Sequence, residues 1–134
     1  MMTKKKECTL KLIGRVLLSV IFILAGFGKI GAFAGTAGYV ASVGIPMAEL
    51  VTVLVIILEL GGGLLLLVGF KTRIVAFLLA IFTILAALLF HNNFSDQTQM
   101  SIFLKNLAIA GGLFYVKATG AGSYSVDAKM KKEV

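Results

Sequence analysis

Residues 47–70 read MAELVTVLVIILELGGGLLLLVGF, an apolar run that holds a carboxylate, Glu59, near its middle. A helix needs about 20 mostly apolar residues to cross a hydrocarbon core about 30 Å thick, and this run is long enough to do so. Its apolar residues do not alternate with polar ones, as they do in the strands of a membrane barrel. The stretch therefore predicts a transmembrane helix with an ionisable group near the centre of the bilayer.

Three other runs have the same apolar character. The chain is 59% hydrophobic and 14% charged, whereas a soluble domain carries about 45–50% apolar and about 25% charged residues. We therefore expect an all-α, polytopic membrane protein, a bundle of four transmembrane helices with spans at about 12–32, 47–70, 73–90 and 101–117. The spans divide the chain into a basic tail at 1–11, a transmembrane domain at 12–119 and a second tail at 120–134.

The distribution of basic residues predicts the orientation of the bundle. Lys and Arg are concentrated in the two tails and in the tight turn Phe70-Lys71-Thr72-Arg73. The Gly-rich segment 33–46, a loop that could include a short interfacial helix, and the polar loop 91–99 contain neither. Because the cytoplasmic loops of membrane proteins are enriched in Lys and Arg, we expect both termini in the cytoplasm and the protein in the bacterial inner, or plasma, membrane.

The N-terminal run has one alternative interpretation, a cleaved signal peptide. Ala32-Phe33-Ala34 resembles the small-residue cleavage site of such peptides. Arg15 and Lys29, however, interrupt the apolar run, which is also longer than a signal peptide needs. A retained first span is the favoured interpretation.

Ionisable and amide side chains inside the spans are the candidates for function. A charge at the bilayer centre costs about 2.5–3.5 kcal/mol on insertion scales, so such residues usually face the interior of a bundle. Helical side chains lean toward the N-terminus of their own helix. In the predicted topology, Lys29 and His91 therefore lean back toward the midplane. Glu59, Lys105 and Asn106 lean toward the outer face, so we expect these five side chains to meet in the outer half of the bundle.

Arg15 lies near the inner end of the first span, where its side chain could snorkel to the lipid headgroups. It also shares a helical face with Lys29, so it is included in the candidate ligand-binding cluster: Glu59, Lys29, Lys105, Asn106, His91 and Arg15. Structural roles remain open for the other members. The two lysines could snorkel to the headgroups, and the asparagine could form an interhelical hydrogen bond. The histidine could be an exposed interfacial residue, and the glutamate could belong to an ion pair that only specifies packing.

The sequence lacks the motifs of most enzymes. It has no nucleophile–base pair, metal-ligand set, phosphate loop or dinucleotide fingerprint. A single histidine, His91, cannot supply both axial ligands of a transmembrane haem, and a single cysteine, Cys8, cannot form an intramolecular disulfide. The net charge of +7 is clustered at the tails and one turn rather than along a stripe with aromatics. This pattern indicates contact with membrane lipid rather than nucleic acid.

Several short motifs carry a resemblance to a known family over about residues 12–127. They are Arg15 with Ala25-Gly26-Phe27-Gly28-Lys29, Gly44-Ile45-Pro46, Glu59-Leu60-Gly61-Gly62, Gly69-Phe70-Lys71-Thr72-Arg73, His91-Asn92-Asn93-Phe94, Phe103-Leu104-Lys105-Asn106-Leu107 with Gly111-Gly112, Gly120-Ala121-Gly122 and Ser125-Val126-Asp127. In this order they resemble the DoxX family of small four-helix bacterial inner-membrane proteins, and within it the YphA-like subgroup. Gly28 and Ala121 depart mildly from that pattern, in which proline is typical at 121 and proline or a larger residue at 28.

The resemblance implies a function close to redox chemistry. Relatives are linked to thiosulfate:quinone oxidoreduction and to a membrane-associated oxidoreductase complex, while many members have no assigned activity. The first hypothesis is therefore a redox-associated membrane subunit that binds a quinone or another lipophilic small molecule, and that works with a soluble redox partner. The second is a non-enzymatic membrane module, a partner anchor or a lipid or small-solute binder, whose buried charges only specify helix packing. The third is a small proton-coupled transporter, for which four helices would need a homodimer.

The predicted topology can be tested with reporter fusions. Alkaline phosphatase fused after Asn93 is expected to be active, because the loop 91–99 faces away from the cytoplasm. The same enzyme fused after Gly122 is expected to be inactive, and green fluorescent protein should show the reverse pattern. Enzyme activity and fluorescence are measured at matched expression, and an exchanged pattern contradicts the orientation.

Overall fold

The computed structural model describes residues 2–130, which are mostly helical. The helices are α1 Lys4–Gly31, α2 Phe33–Ser42, α3 Ala48–Val68, α4 Thr72–Phe90, α5 Gln97–Thr119 and α6 Val126–Lys129. Helices α1, α3, α4 and α5 are each long and apolar enough to cross a membrane. No strand occurs in residues 2–130. The predicted all-α fold with four spanning helices is confirmed.

Several helix boundaries differ from those expected. α1 begins at Lys4 because the side chain of Thr3 caps it, so most of the N-terminal tail is the first turns of a helix. α5 begins at Gln97 because the side chain of Asp96 accepts a hydrogen bond from the backbone of its first turn. Side-chain caps of this kind satisfy donors that a helix start leaves unpaired. Within the segment 33–46, the short helix that was allowed for is present as α2 and covers most of the segment.

Helices α1 and α3 approach each other closely through two glycines. A Cβ at Gly26 would lie 2.9 Å from the Cβ of Leu60, and a Cβ at Gly63 would lie 2.8 Å from Cγ1 of Ile23. Lipid gives helices no hydrophobic reason to associate, so small residues that allow close backbone packing take over that role. These two contacts therefore fix the distance between α1 and α3.

Two runs of glycine, Gly61-Gly62-Gly63 in α3 and Gly111-Gly112 in α5, are only partly used for packing. Gly62 packs against the Leu79 side chain, and a Cβ on Gly112 would lie 3.4 Å from Leu18. Gly61 and Gly111 instead have nothing within 4 Å of an added Cβ. The neighbouring glycines differ because successive helical residues point in different directions.

The tightest packing lies toward one end of the bundle. We call this the basic end; it carries Lys71 and the segment 120–130, and the α2 end is the opposite one. Eight buried side chains form the core: Phe22, Leu66, Val75, Ala76, Leu79, Ala80, Ala110 and Leu113. α4 packs along α5, but it contacts α3 mainly through the turns nearest the basic end. The helices therefore leave space between them at the α2 end.

The C-terminal segment does not behave as a free tail within the described residues. Gly120, Ala121 and Ser125 are buried, and Asp127 in α6 is buried as well. The backbone N–H of Asp127 donates to the carbonyl oxygen of Gly69 at 2.9 Å. The expected tail at 120–134 is thus corrected to a folded segment over 120–130, while residues 131–134 lie outside the described residues.

Gly26→Ala is expected to lower the free energy of unfolding by about 1–3 kcal/mol, because overpacking forces neighbours to shift and the new methyl would meet Leu60. Gly28→Ala is the matched control on the same helix, since nothing lies within 4 Å of a Cβ there. That change should be neutral or slightly stabilising, as alanine favours a helix over glycine. Thermal unfolding in detergent measures both, and equal midpoints for the two variants contradict the packing role of Gly26.

Candidate functional site

Glu59 is carried by a local widening of α3. Residues Ile57–Gly61 form a π-helical turn inside the otherwise α-helical span. Such a turn adds one residue to the helix and changes the direction of the side chains around it, and it is frequent at functional sites. Glu59 is only 5% exposed and borders a cavity at the α2 end of the bundle. The sequence singled out this residue but gave no signal of the π turn.

The partner of Glu59 is Lys29 of α1. Its Nζ lies 2.7 Å from Oε1 of Glu59, so the two form an ion pair between neighbouring spans. Lys29 follows Gly26 by one helical turn, and Glu59 adjoins Leu60, so the close approach of those two residues brings the charges together. Among the described residues, no hydrogen-bond donor other than this ammonium reaches Oε1 of Glu59. The expected meeting of these two side chains is therefore observed.

The ion pair forms part of the wall of a cavity of about 680 Å³. Sites for small organic ligands in proteins commonly measure about 300–1,000 Å³ and have mainly apolar walls. Here the apolar lining comes from all four spans: Ile21, Phe22, Ala25, Val51, Val55, Phe82, Leu85, Ala86, Leu89, Phe90 and Ile109. Helix α2 adds Gly35, Thr36, Tyr39 and Val40 to this lining. The cavity is large enough for an aromatic head group and the first part of a hydrocarbon tail.

Two further predicted residues, His91 and Asn106, line the same cavity. Nδ1 of His91 lies 2.9 Å from Oε1 of Gln99, and the two side chains share a hydrogen bond. The side chain of Asn106 makes no hydrogen bond within residues 2–130. The hydroxyls of Thr52 and Thr83 donate to carbonyls of their own helices. The amide of Asn106 thus remains able to donate to and accept from a ligand.

Lys105 does not join this cluster. Its side chain is exposed on the outer surface of α5 and forms no ion pair within the described part of the chain. Adjacent helical residues point about 100° apart, so an inward Asn106 turns Lys105 outward. The expected placement of Lys105 beside Glu59 is wrong, and snorkelling toward the headgroups fits its exposure.

The comparison with known proteins agrees with this architecture. The DoxX family model matches residues 10–92, which include both partners of the ion pair. The chain belongs to the DoxX family. Two relatives in Escherichia coli K12 are similar to it. Inner membrane protein YqjF is 45% identical over 130 residues, covering 97% of this chain and 98% of that protein. Inner membrane protein YphA is 36% identical over 124 residues, covering 88% of each.

No solved structure matches the chain significantly. The predicted family and the predicted location are nevertheless confirmed: this is an integral inner-membrane protein of the DoxX family. YphA, which represents the predicted subgroup, is less similar to this chain than YqjF. The names of both relatives give a location and no ligand.

Arg15 lies at the basic end of this DoxX protein, away from the Glu59 cavity. It is only 1% exposed. Its guanidinium donates to the carbonyl oxygens of Leu66 at 3.3 Å, Leu67 at 3.4 Å and Tyr124 at 2.6 Å. The inclusion of Arg15 in the Glu59 cluster and its expected snorkelling are both corrected. The reason is the folded C-terminal segment, which covers the basic end and supplies one of the carbonyls.

Asp127 completes this second buried cluster of the DoxX protein. Its carboxylate accepts hydrogen bonds from the backbone N–H of Lys71 at 2.8 Å and of Thr72 at 2.9 Å, where α4 begins. It also interacts electrostatically with Arg15. The N-terminus of a helix carries unpaired N–H groups and a partial positive charge, so a carboxylate there is stabilising. Asp127 therefore caps α4 from a distant part of the chain, a role that no local sequence pattern indicated.

Asp127→Ala is expected to lower the free energy of unfolding by at least about 2 kcal/mol, because buried donors at the start of α4 lose their acceptor. Asp96→Ala is the matched control, since that carboxylate caps α5 through one exposed hydrogen bond at 2.9 Å. Its cost should be smaller, about 0.5–1 kcal/mol. Thermal unfolding of both variants in detergent measures the difference. A loss at Asp96 as large as that at Asp127 contradicts the buried cap.

Proposed function

We propose that this DoxX-family protein is a redox-associated membrane subunit that binds a quinone or another lipophilic small molecule. The polar head group lies at Lys29 and Glu59, and the hydrocarbon part lies along the apolar wall. The observation that carries the proposal is the ion pair at 2.7 Å in the wall of a cavity of about 680 Å³. The redox role is the one that the resemblance implies, and electron transfer is left to a partner protein.

The polar groups of the cavity suit a carbonyl head group and its reduced form. The Lys29 ammonium and the Asn106 amide can donate to a carbonyl oxygen. The Glu59 carboxylate can accept from a hydroxyl, which is the group a quinone carbonyl becomes on reduction. Such hydrogen bonds strengthen where water is excluded. The same three side chains can therefore hold both forms.

The second hypothesis gives the charges a packing role only. A pair that only specifies packing is expected to be enclosed by other side chains, as Arg15 is at the basic end. The Glu59 pair instead borders empty space, and the side chain of Lys29 is 30% exposed. This contrast favours binding over packing alone.

The third hypothesis, a transporter, requires a route across the bilayer. The cavity lies at the α2 end, and Leu66, Leu79 and Leu113, each 0% exposed, fill the bundle toward the basic end. These buried side chains lie between the cavity and the basic end. Their placement favours a binding site over a transport route.

Glu59→Gln is expected to weaken the binding of ubiquinone-1 at least tenfold, because a neutral amide no longer holds the Lys29 ammonium in place. Glu49→Gln is the matched control: it makes the same change on the same helix at an exposed position. Binding is measured at equilibrium in nanodiscs, with empty nanodiscs subtracted, and thermal unfolding verifies the fold. A well-folded Glu59→Gln protein that binds ubiquinone-1 like the wild type contradicts the proposal.

A double change separates binding from packing in the same assay. Lys29→Leu alone leaves a buried carboxylate unpaired, which costs about 3–5 kcal/mol in buried pairs. Lys29→Leu combined with Glu59→Leu removes both charges and should recover most of that stability. The stable double variant is expected to lose ubiquinone-1 binding. Retained binding in that variant assigns the pair to packing.

A further inference from the structure

Helix α2 forms one wall of the Glu59 cavity. It contributes Gly35, Thr36, Tyr39 and Val40 to the lining. It packs mainly on α3 and touches α1 only near their junction. The other walls belong to spanning helices that share the buried core. α2 is therefore the wall of the cavity that can move without opening the core.

One contact ties the free side of α2 to the rest of the bundle. The hydroxyl of Tyr39 donates to the carbonyl oxygen of Phe90 at 3.0 Å, and the two rings lie with centroids 5.3 Å apart. Phe90 is the last residue of α4, where the helix leaves carbonyls without an intrahelical partner. Thr36 and Ser42 hydrogen-bond within α2 or to its cap. Across residues 2–130, the Tyr39 contact is thus the side-chain hydrogen bond that joins α2 to another helix.

The backbone on both sides of α2 departs from helical geometry. Ala32, between α1 and α2, has φ −117° and ψ 39°. After α2, Gly44 has φ 87° and Met47 has φ 55°. The left-handed region is unfavourable for a residue with a Cβ such as Met47, so this connection is held by its surroundings. Hinges are commonly a few residues at the ends of elements, and both connections of α2 lie at such positions.

We propose that α2 is a hinged cover of the Glu59 cavity and that the Tyr39–Phe90 contact holds it closed, so that lipophilic ligands enter and leave beneath α2. The inference rests on the proposed function for the ligand that passes, but the movement of α2 can be measured without any ligand. In the closed state Tyr39 lines the same cavity as Lys29 and Glu59 while its ring packs on Phe90. Opening breaks one hydrogen bond and one ring contact with Phe90, and it requires α2 to turn on its packing against α3.

The first test follows amide hydrogen exchange of the full chain in nanodiscs. Tyr39→Phe removes the hydroxyl and keeps the ring, and exchange over Phe33–Ser42 is expected to become roughly threefold to tenfold faster, as for the net loss of one hydrogen bond. Tyr115→Phe is the matched control, because that tyrosine is 77% exposed and its hydroxyl has no partner in the described structure. Unchanged exchange over α2 in Tyr39→Phe overturns the inference.

The second test measures the exchange of ubiquinone-1 by surface plasmon resonance on immobilised nanodiscs. A weakened cover raises the association and dissociation rate constants by a similar factor and leaves the dissociation constant nearly unchanged. Faster dissociation alone makes Tyr39 a ligand contact and overturns the proposal that α2 is a cover. Unchanged rate constants overturn it too, because they indicate that the ligand enters between two spans. If ubiquinone-1 does not bind the wild type, the proposed function fails. The hydrogen-exchange result then decides the movement of α2 by itself.

Discussion

An ionised carboxylate inside a bilayer needs an opposite charge close by, and this requirement determines how α1 and α3 pack around Glu59. Glu59 meets Lys29 at 2.7 Å across the α1–α3 interface. The pair can form because Gly26 lets α1 come into contact with Leu60, the residue beside Glu59. A bulkier residue at that position would separate the helices and the charges together. Packing and electrostatics are therefore coupled at a single point of the interface.

The bundle neutralises the cations Lys29 and Arg15 of α1 in two different ways. Lys29 pairs with a carboxylate from another span, next to a cavity. Arg15 instead donates to backbone carbonyls and interacts electrostatically with Asp127 of the C-terminal segment. The guanidinium suits the second environment because its several donors can bind carbonyls in different directions. The charged group at the basic end is thus enclosed by packing, and the one at the α2 end borders a cavity.

The sequence was sufficient for the four spans and for the pairing of Glu59 with Lys29, because hydropathy and the cost of a buried charge are strong signals. It failed for Lys105, since the rotation of α5 depends on which face packs on α4. It also failed for Arg15, because the carbonyl of Tyr124 that binds it belongs to a segment that composition presents as a tail. The π turn depends on tertiary packing and leaves no mark in composition or period.

The remote cap of α4 has a consequence for biosynthesis. Asp127 lies 55 positions after Thr72, and its carboxylate accepts a hydrogen bond from the Thr72 N–H. A chain emerges from the ribosome from its N-terminus onward. α4 must therefore enter the membrane with its first turn uncapped and remain so until α5 has been translated and threaded through the bilayer. The arrival of Asp127 then completes α4 and covers Arg15 in the same event. Assembly of the basic end thus marks the moment at which the whole bundle has been inserted.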